Sequence, residues 1–174
     1  MKKNKYVLLA ILITIIFSIP FFSDSLFQGH DTTFHINRIV GCADAFRDGQ
    51  IIPRLYPYSN NGYGYISPTT LYCDIFVYPF AILYILGLPI VLCYKLMIIS
   101  YIFLGVILTL MILKKMNVNI KYFSVFMILY CFNPYRFINV FIRGAFGELL
   151  AYTFFPLVFY FCYKIFVKNH YCFI

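Results

Sequence analysis

The first residues that can do chemistry lie in a polar stretch that follows the first apolar run. Asp31, His35, Arg38 and Cys42 fall on one face when the chain is advanced by 100° per residue, as in a helix. A carboxylate near a reacting hydroxyl can act as a general base or a metal ligand. A carboxylate at a helix start can instead accept free backbone N–H groups as an N-cap. Both interpretations of Asp31 stay open.

Two other side chains on this face suit an anionic substrate. The imidazole of His35 can orient a group or titrate near neutral pH, although a lone interfacial histidine is more often only polar surface. The planar guanidinium of Arg38 matches two oxygens of a phosphate. A lipid headgroup offers the same phosphate, so Arg38 is either a substrate ligand or a headgroup contact.

A second charged cluster runs from Arg143 to Glu148 and precedes the last apolar run. A carboxylate so close to a membrane span usually pairs with a cation or has a function. The alternative is that Glu148 lies at a helix N-terminus, where the helix dipole favours it, and pairs with Arg143. Between the two clusters, Arg54 lies in a stretch rich in Gly, Pro, Asn and Tyr, which predicts turns.

The composition indicates that these clusters belong to a membrane protein. Of the 174 residues, 63% are hydrophobic and 11% are charged, whereas soluble domains carry about 25% charged residues. The apolar residues form long runs that need lipid around them. The net charge of +8 is then explained by lysines and arginines in loops, and we assign no nucleic-acid partner. The six cysteines form no CxxC pair and are expected to be small buried hydrophobic residues.

Five apolar segments follow one another, and we predict that four of them cross the membrane. Leu71–Leu88 is the exception, because it contains Asp74 and Pro79 and is predicted to lie at the interface or to re-enter. With this count all six acids and all five arginines fall outside, and all lysines fall inside except Lys95, which lies near the outer end of a helix and could extend to the membrane interface. A cleaved signal peptide is the competing interpretation of the first run, but no A-x-A-like site follows it. The crossing segments are Tyr6 to Phe22, Ile90–Leu113, Val118–Ile138 and Leu149–Val167.

The predicted fold is an all-α integral membrane domain that covers residues 1–174. It has four transmembrane helices, one interfacial or re-entrant apolar segment, and an amphipathic helix from Asp31 to Asp48 in the first outer loop. Gly49 is the expected stop of that helix. The predicted location is the bacterial cell membrane, with the N-terminus in the cytoplasm and the polar clusters on the outer face.

Four short motifs in a fixed order resemble a family of bacterial membrane proteins. The resemblance covers about Tyr6 to Val167 and is to proteins labelled "6-pyruvoyl-tetrahydropterin synthase-related domain", which look like C-type (GT-C) membrane glycosyltransferases. The motifs are His30-Asp31-x-x-Phe34-His35-x-x-Arg38, Asp48-Gly49-Gln50-x-x-Pro53-Arg54, Asn61-Gly62-Tyr63-Gly64-Tyr65 and Arg143-Gly144-x-x-Gly147-Glu148.

The resemblance implies a mechanism and a substrate class. The donor would be a sugar linked to a polyprenyl phosphate, and Asp31 would take the proton of the acceptor hydroxyl while the sugar inverts at its anomeric carbon. Glu148 would join Asp31 in holding a divalent metal, Mg²⁺ or Mn²⁺. Arg143 or Arg38 would hold the donor phosphate. The remaining candidate substrate contacts are His35 and Arg54.

Family members are several times longer than this chain. The resemblance therefore implies an N-terminal part, a split gene product or a degenerate copy that is inactive alone and needs a second chain to supply further helices. One alternative is a non-catalytic polyprenyl-lipid-binding or assembly subunit of the cell envelope. A small transporter subunit is the weaker alternative, because no acid is expected at mid-membrane depth.

Overall fold

The computed structural model describes residues 2–26, 28–58, 64–66 and 73–168. These residues are mostly helical, which confirms the predicted all-α class. Part of the Asn61-to-Tyr65 motif and the start of Leu71–Leu88 lie outside the described residues. The helices are α1 (Lys2–Ser18), α2 (Thr32–Arg47), α3 (Tyr78–Ile85), α4 (Ile90–Lys115), α5 (Ile120–Cys131), α6 (Pro134–Phe137) and α7 (Phe146–Lys168).

Short irregular elements join these helices. A 3-10 turn, Ile19–Phe22, extends α1, and a second, Asp74–Phe76, precedes α3. A π-helical turn, Ile138–Arg143, connects α6 to α7. Two antiparallel strands, β1 (Leu55–Tyr56) and β2 (Tyr65–Ile66), form a small hairpin after α2.

Within the described residues, three helical segments are long and apolar enough to cross a membrane. They are Ile90–Lys115, Ser124–Arg143 and Phe146–Val167. Each overlaps one predicted crossing. The first predicted crossing corresponds to a shorter apolar helix, Leu8–Phe22, so the count of four remains a prediction.

The segment predicted not to cross is interrupted in the structure. It contains the 3-10 turn and α3, which has only 8 residues. Eight helical residues rise about 12 Å, whereas the hydrocarbon core of a bilayer is about 30 Å thick. A turn at Gly87, with φ 96°, then leads into α4. Helix α3 is therefore too short to cross by itself.

Helix α4 is the centre of the bundle, and α7 packs along it in the same direction. The Thr153 hydroxyl donates to the Tyr101 carbonyl at 3.0 Å. Farther along both helices, Met116 and Tyr163 line one cleft. Helix α1 runs in the opposite direction. Its early residues Ala10 and Ile13 belong to the same buried cluster as the late α4 residue Leu113.

The opposite direction of α1 is also clear at its other end. The buried Lys95, near the start of α4, donates to the carbonyl of Ser23, just after the α1 extension. The sequence suggested that this lysine extends to the membrane interface. The structure shows that it binds the carboxyl end of α1, where a helix dipole favours a cation.

The packing places most described lysines and the acids at opposite ends of the bundle, while Lys95 and arginines such as Arg47 and Arg143 share the end of the acids. One end, here called the lysine end, contains Lys114, Lys115 and Lys164, near the carboxyl ends of α4 and α7. The other end, the acidic end, is formed by α2, α3 and the start of α7, and the acids lie in or beside these elements. They are Asp24, Asp31, Asp44, Asp48, Asp74 and Glu148.

Helix α2 covers the acidic end of the bundle. The predicted helix is present, and it ends at Arg47, two residues before Gly49, which has φ 83°. Its buried face contains His35 and Arg38 as well as apolar residues such as Ile39. The polar face of the predicted helix is thus turned into the protein, not toward solvent.

Candidate functional site

A buried polar network explains why the polar face of α2 points inward. Asp74, fully buried at 0% exposure, accepts hydrogen bonds through Oδ1 from Nε of Arg38 at 2.9 Å and from Nη2 of the same guanidinium. Its Oδ2 accepts from the Tyr56 hydroxyl at 2.9 Å. Cys42 Sγ lies 3.5 Å from that hydroxyl. A buried carboxylate is tolerated only when its oxygens are satisfied in this way.

Arg38 is therefore a structural cation in this arrangement. Its side chain is 1% exposed, and its charge is opposed by Asp74. Phe34 and Phe146 each lie with the ring centroid 5.9 Å from the guanidinium carbon. A donor phosphate could reach Arg38 only if this packing opened, so the predicted phosphate contact stays a prediction.

His35 links α2 to the start of α7. Its Nε2 lies 3.3 Å from the Phe146 backbone N–H, which donates to it, and its Nδ1 lies 3.2 Å from Nη1 of Arg38. Burial, followed by the charge of Arg38, lowers the pKa of His35 to about 3, against a smaller opposing effect of Asp74. The imidazole is therefore neutral at physiological pH and acts as an acceptor that fixes the two helices.

Acid is expected to destabilise the protein through His35. The unfolded histidine binds a proton near pH 6.5, whereas the folded one does so only near pH 3. The free energy of unfolding therefore falls as the pH falls through this window, by up to about 1.4 kcal/mol per pH unit. Thermal unfolding in detergent between pH 7 and 4 measures this slope.

His35→Gln is the informative variant for this effect, because an amide can still accept from Phe146 but does not titrate. We expect it to flatten the pH dependence of the unfolding temperature. The exposed neighbour His30 supplies the control, His30→Gln, which should leave the slope unchanged. Equal slopes in the wild type and His35→Gln would contradict the assignment.

The two charged clusters of the sequence meet at one junction. The backbone N–H of Asp31 donates to the Arg143 carbonyl at 2.8 Å, and that of His30 donates to Ile142 at 3.3 Å. A Cβ built on Gly29 would lie 2.7 Å from the Ile142 carbonyl oxygen. Residues separated by more than a hundred positions are thus joined main chain to main chain, and the lack of a side chain at Gly29 permits it.

Gly144 completes the junction from the other side. It ends the π-helical turn at φ 65°, and a Cβ there would lie 2.6 Å from Oγ1 of Thr32. The same Thr32 oxygen accepts from the Gly29 N–H at 3.0 Å. Gly29 and Gly144 are therefore both needed for this close approach of the two backbones.

Asp31 occupies the N-cap position of α2 without the capping hydrogen bond that the simpler interpretation required. Its side chain makes no cap contact to the helix, and it is partly exposed. The backbone hydrogen bond to the Arg143 carbonyl thus places Asp31 at the junction.

Glu148 lies in the first turn of α7 and pairs with Arg143, as the alternative interpretation proposed. Its Oε1 accepts from Nη1 of Arg143 at 2.5 Å, and its Oε2 accepts from the Tyr135 hydroxyl. The same Arg143 nitrogen donates to Asn139 at 2.9 Å. Arg143 and Glu148 are each about one-third to two-fifths exposed. The cluster is therefore reachable by a ligand.

This arrangement does not by itself fit a resident Mg²⁺ or Mn²⁺. Such ions prefer about six oxygen ligands with a high share of carboxylate or water. Both Glu148 oxygens already accept hydrogen bonds, one of them from a cation. No group of three or more potential metal ligands occurs among the described side chains. The predicted metal at Asp31 and Glu148 stays untested.

Arg54 is placed apart from this cluster. It is exposed beside β1, and its backbone N–H donates to Gln50 at 3.0 Å. None of the contacts described for it involves Asp31, Arg143 or Glu148. The structure thus brings together Asp31, Arg143 and Glu148, puts His35 and Arg38 beneath them in the protein, and leaves Arg54 at the hairpin.

Sequence reasoning missed the partner of Arg38 and the position of Arg136. Asp74 was seen only as a residue that weakens a membrane span. Arg136 was expected outside with the other arginines, but it is 1% exposed within the bundle. The ring centroids of Phe17, Tyr130 and Tyr152 lie 5.1 to 5.5 Å from its guanidinium carbon.

The guanidinium of Arg136 is held by these aromatic rings rather than by an acid. Its three nitrogens have no hydrogen-bond partner of conventional geometry among the described residues, although the Cys131 thiol lies close to it. Cation–π contacts in a desolvated site are worth about 2 kcal/mol each. The three rings come from α1, α5 and α7, so no local pattern in the sequence signalled this cage.

Comparisons with known proteins leave the family of the chain open. No family model matches it, and no solved structure matches it. An uncharacterised protein of Lactococcus lactis subsp. cremoris (strain MG1363) is 31% identical over 61 residues, which are 35% of this chain. The match spans 10% of that protein's length. The resemblance to C-type glycosyltransferases stays a prediction that rests on the four motifs.

Proposed function

We propose that this chain is the N-terminal part of a membrane glycosyltransferase-like protein that takes its sugar from a polyprenyl-phosphate donor at the outer membrane face. The observation that carries the proposal is the junction of Gly29–Thr32 with Ile142–Gly144, which joins the backbone of Asp31 to that of Arg143, the ion-pair partner of Glu148. The complete transferase would need further helices, from a longer protein or a second chain. We do not expect residues 1–174 alone to transfer sugar.

The chemistry of the junction suits glycosyl transfer. An uncapped carboxylate can accept the proton of an acceptor hydroxyl, a role that typically contributes about 10²–10⁴ to the rate. Arg143 keeps Nη2 and Nε for a phosphate while Nη1 binds Glu148 and Asn139. Acceptor activation and donor binding would thus occur on one exposed face.

The proposed orientation places the acidic end outside the bacterial cell membrane and the lysine end in the cytoplasm. The segregation of lysines and acids between the ends supports it through the positive-inside bias. Helix α1 would be the first of four crossings, with α3 at the outer interface. Because Cys73 is exposed, the native cysteines are first replaced by serine. In this background a membrane-impermeant thiol reagent should fail to label Lys115→Cys in intact cells but should label Asp48→Cys. The reverse pattern would contradict the orientation.

Asp31→Asn tests the catalytic proposal in an active longer relative that carries the same four motifs. The amide keeps the shape of the junction but cannot take a proton, so transfer from a radiolabelled polyprenyl-phosphate sugar should fall by about 10²-fold or more. The matched control is Asp44→Asn, which removes a carboxylate that pairs with Arg47 on the same helix. Unchanged transfer in Asp31→Asn would rule out the general-base role.

A non-catalytic lipid-binding subunit is the second candidate. It is favoured by the internal pairing of Glu148, whose oxygens are bound by Arg143 and Tyr135. The two functions differ in their response to the same variant. A binding subunit would retain polyprenyl phosphate after Asp31→Asn and lose it after Arg143→Gln, with no transfer in either protein.

A further inference from the structure

A deep apolar cleft opens near the lysine end, far from the junction that contains Asp31. It has a volume of about 520 Å³ and lies between α4, α5 and α7. The lining includes Leu113, Met116, Val118, Tyr130, Pro156 and Tyr163. Along α4 it extends from Thr109 to Met116, which is about 10 Å of helix.

The inner end of the cleft presents an apolar surface, because the hydroxyl groups there already donate to backbone carbonyls. Tyr130 lies there, but its hydroxyl already donates to the Tyr152 carbonyl at 2.6 Å. The hydroxyl of Thr109 likewise donates to the Gly105 carbonyl at 2.7 Å. An occupant therefore meets hydrocarbon and aromatic surface, and a polar group at this depth would lose its hydration without compensation.

The mouth of the cleft is basic. Lys164 Nζ lies 5.4 Å from the ring centroid of Tyr160, a lining residue. The acids of the chain all lie at the acidic end, so this cation faces no acidic side chain at the mouth.

We propose that the cleft binds one acyl chain of an anionic phospholipid, with the headgroup phosphate at Lys164. The apolar depth suits a hydrocarbon chain, and the basic mouth suits a negative headgroup at the cytoplasmic surface. A helix from another protein fits less well, because the described contacts of the basic mouth favour a negative headgroup rather than an apolar peptide.

This site is independent of the transferase proposal. Helix α4 has 26 residues and is about 39 Å long, so the mouth of the cleft and Asp31 lie on opposite membrane surfaces. A donor lipid at the acidic end would not enter this cleft from its own leaflet. Loss of one site should leave the other intact.

Native mass spectrometry of the full chain in detergent tests the lipid site. Phosphatidylglycerol and phosphatidylcholine with identical acyl chains are added at equal concentrations, and the bound fraction of each is measured. We expect phosphatidylglycerol to bind about fivefold more, since a lysine near an anionic lipid contributes on this scale. Lys164→Gln should remove most of this preference.

Two further variants complete the test. Val118→Trp fills the mouth and should abolish binding of both lipids. Arg47→Gln is the matched control, because Arg47 also lies over a tyrosine ring, that of Tyr84 at 5.6 Å, but at the acidic end. It should leave the preference unchanged, as should Asp31→Asn.

Three outcomes would overturn the proposal. The first is equal binding of both lipids by the wild type. The second is a preference that persists in Lys164→Gln, which changes one partly exposed charge and leaves the packing intact. The third is a dimer in lipid-free micelles that Val118→Trp dissociates, because the cleft would then hold a second copy of the chain.

Discussion

Replacing Arg38 with methionine is expected to lower the free energy of unfolding by about 3–5 kcal/mol, because it leaves a buried carboxylate without its counter-charge. Asp74 is 0% exposed and Arg38 is 1% exposed, so water cannot take the place of the guanidinium. The Tyr56 hydroxyl would still donate to Asp74, but it carries no positive charge. Unfolding in mixed micelles with increasing denaturing detergent measures the loss.

An exposed ion pair on the same helix supplies the control for this experiment. Arg47 lies 3.3 Å from Asp44, and its side chain is 49% exposed. Arg47→Met should therefore cost no more than about 1 kcal/mol. A double variant, Arg38→Met with Asp74→Leu, should recover most of the loss, because no unpaired charge remains. Equal costs for Arg38→Met and Arg47→Met would contradict the buried pair.

Gly29→Ala is expected to separate the two halves of the candidate site. The added methyl would lie 2.7 Å from a carbonyl oxygen and 2.8 Å from two further backbone atoms of the Ile142–Gly144 turn. Backbone atoms cannot move aside as a side-chain end can. The expected cost is about 1–3 kcal/mol, together with rupture of the Asp31–Arg143 backbone hydrogen bond. Hydrogen exchange at residues 29–32 and 142–144 should rise.

Gly49→Ala is the matched control for this substitution. Gly49 has nothing within 4 Å of a built Cβ, although its φ is 83°. The control therefore introduces backbone strain at the end of α2 without a collision. In Gly49→Ala the rate of amide hydrogen exchange at residues 29–32 and 142–144 should match that of the wild type. Unchanged exchange in Gly29→Ala would mean that the junction is looser than the distances indicate.

The candidate site was predictable in part. The sequence identified Asp31, Arg143 and Glu148 as charged residues beside apolar runs, and the structure places them together. The sequence also suggested an N-cap role for Asp31, but its side chain makes no capping hydrogen bond. The suggested ion pair of Glu148 with Arg143 is present. The partner of Arg38 could not be predicted, because Asp74 lies 36 residues away on a different element.

The sequence by itself determined the membrane class, the long apolar helices and the amphipathic helix that ends near Gly49. These features depend on local properties, namely the length of apolar runs and the 3.6-residue period. Only the tertiary structure decided that the polar face of α2 is buried, that Arg136 points into an aromatic cage and that Gly29 meets Ile142. The reason is that such contacts depend on how helices are placed against each other, and a local hydrophobic pattern contains no information on which polar groups will meet.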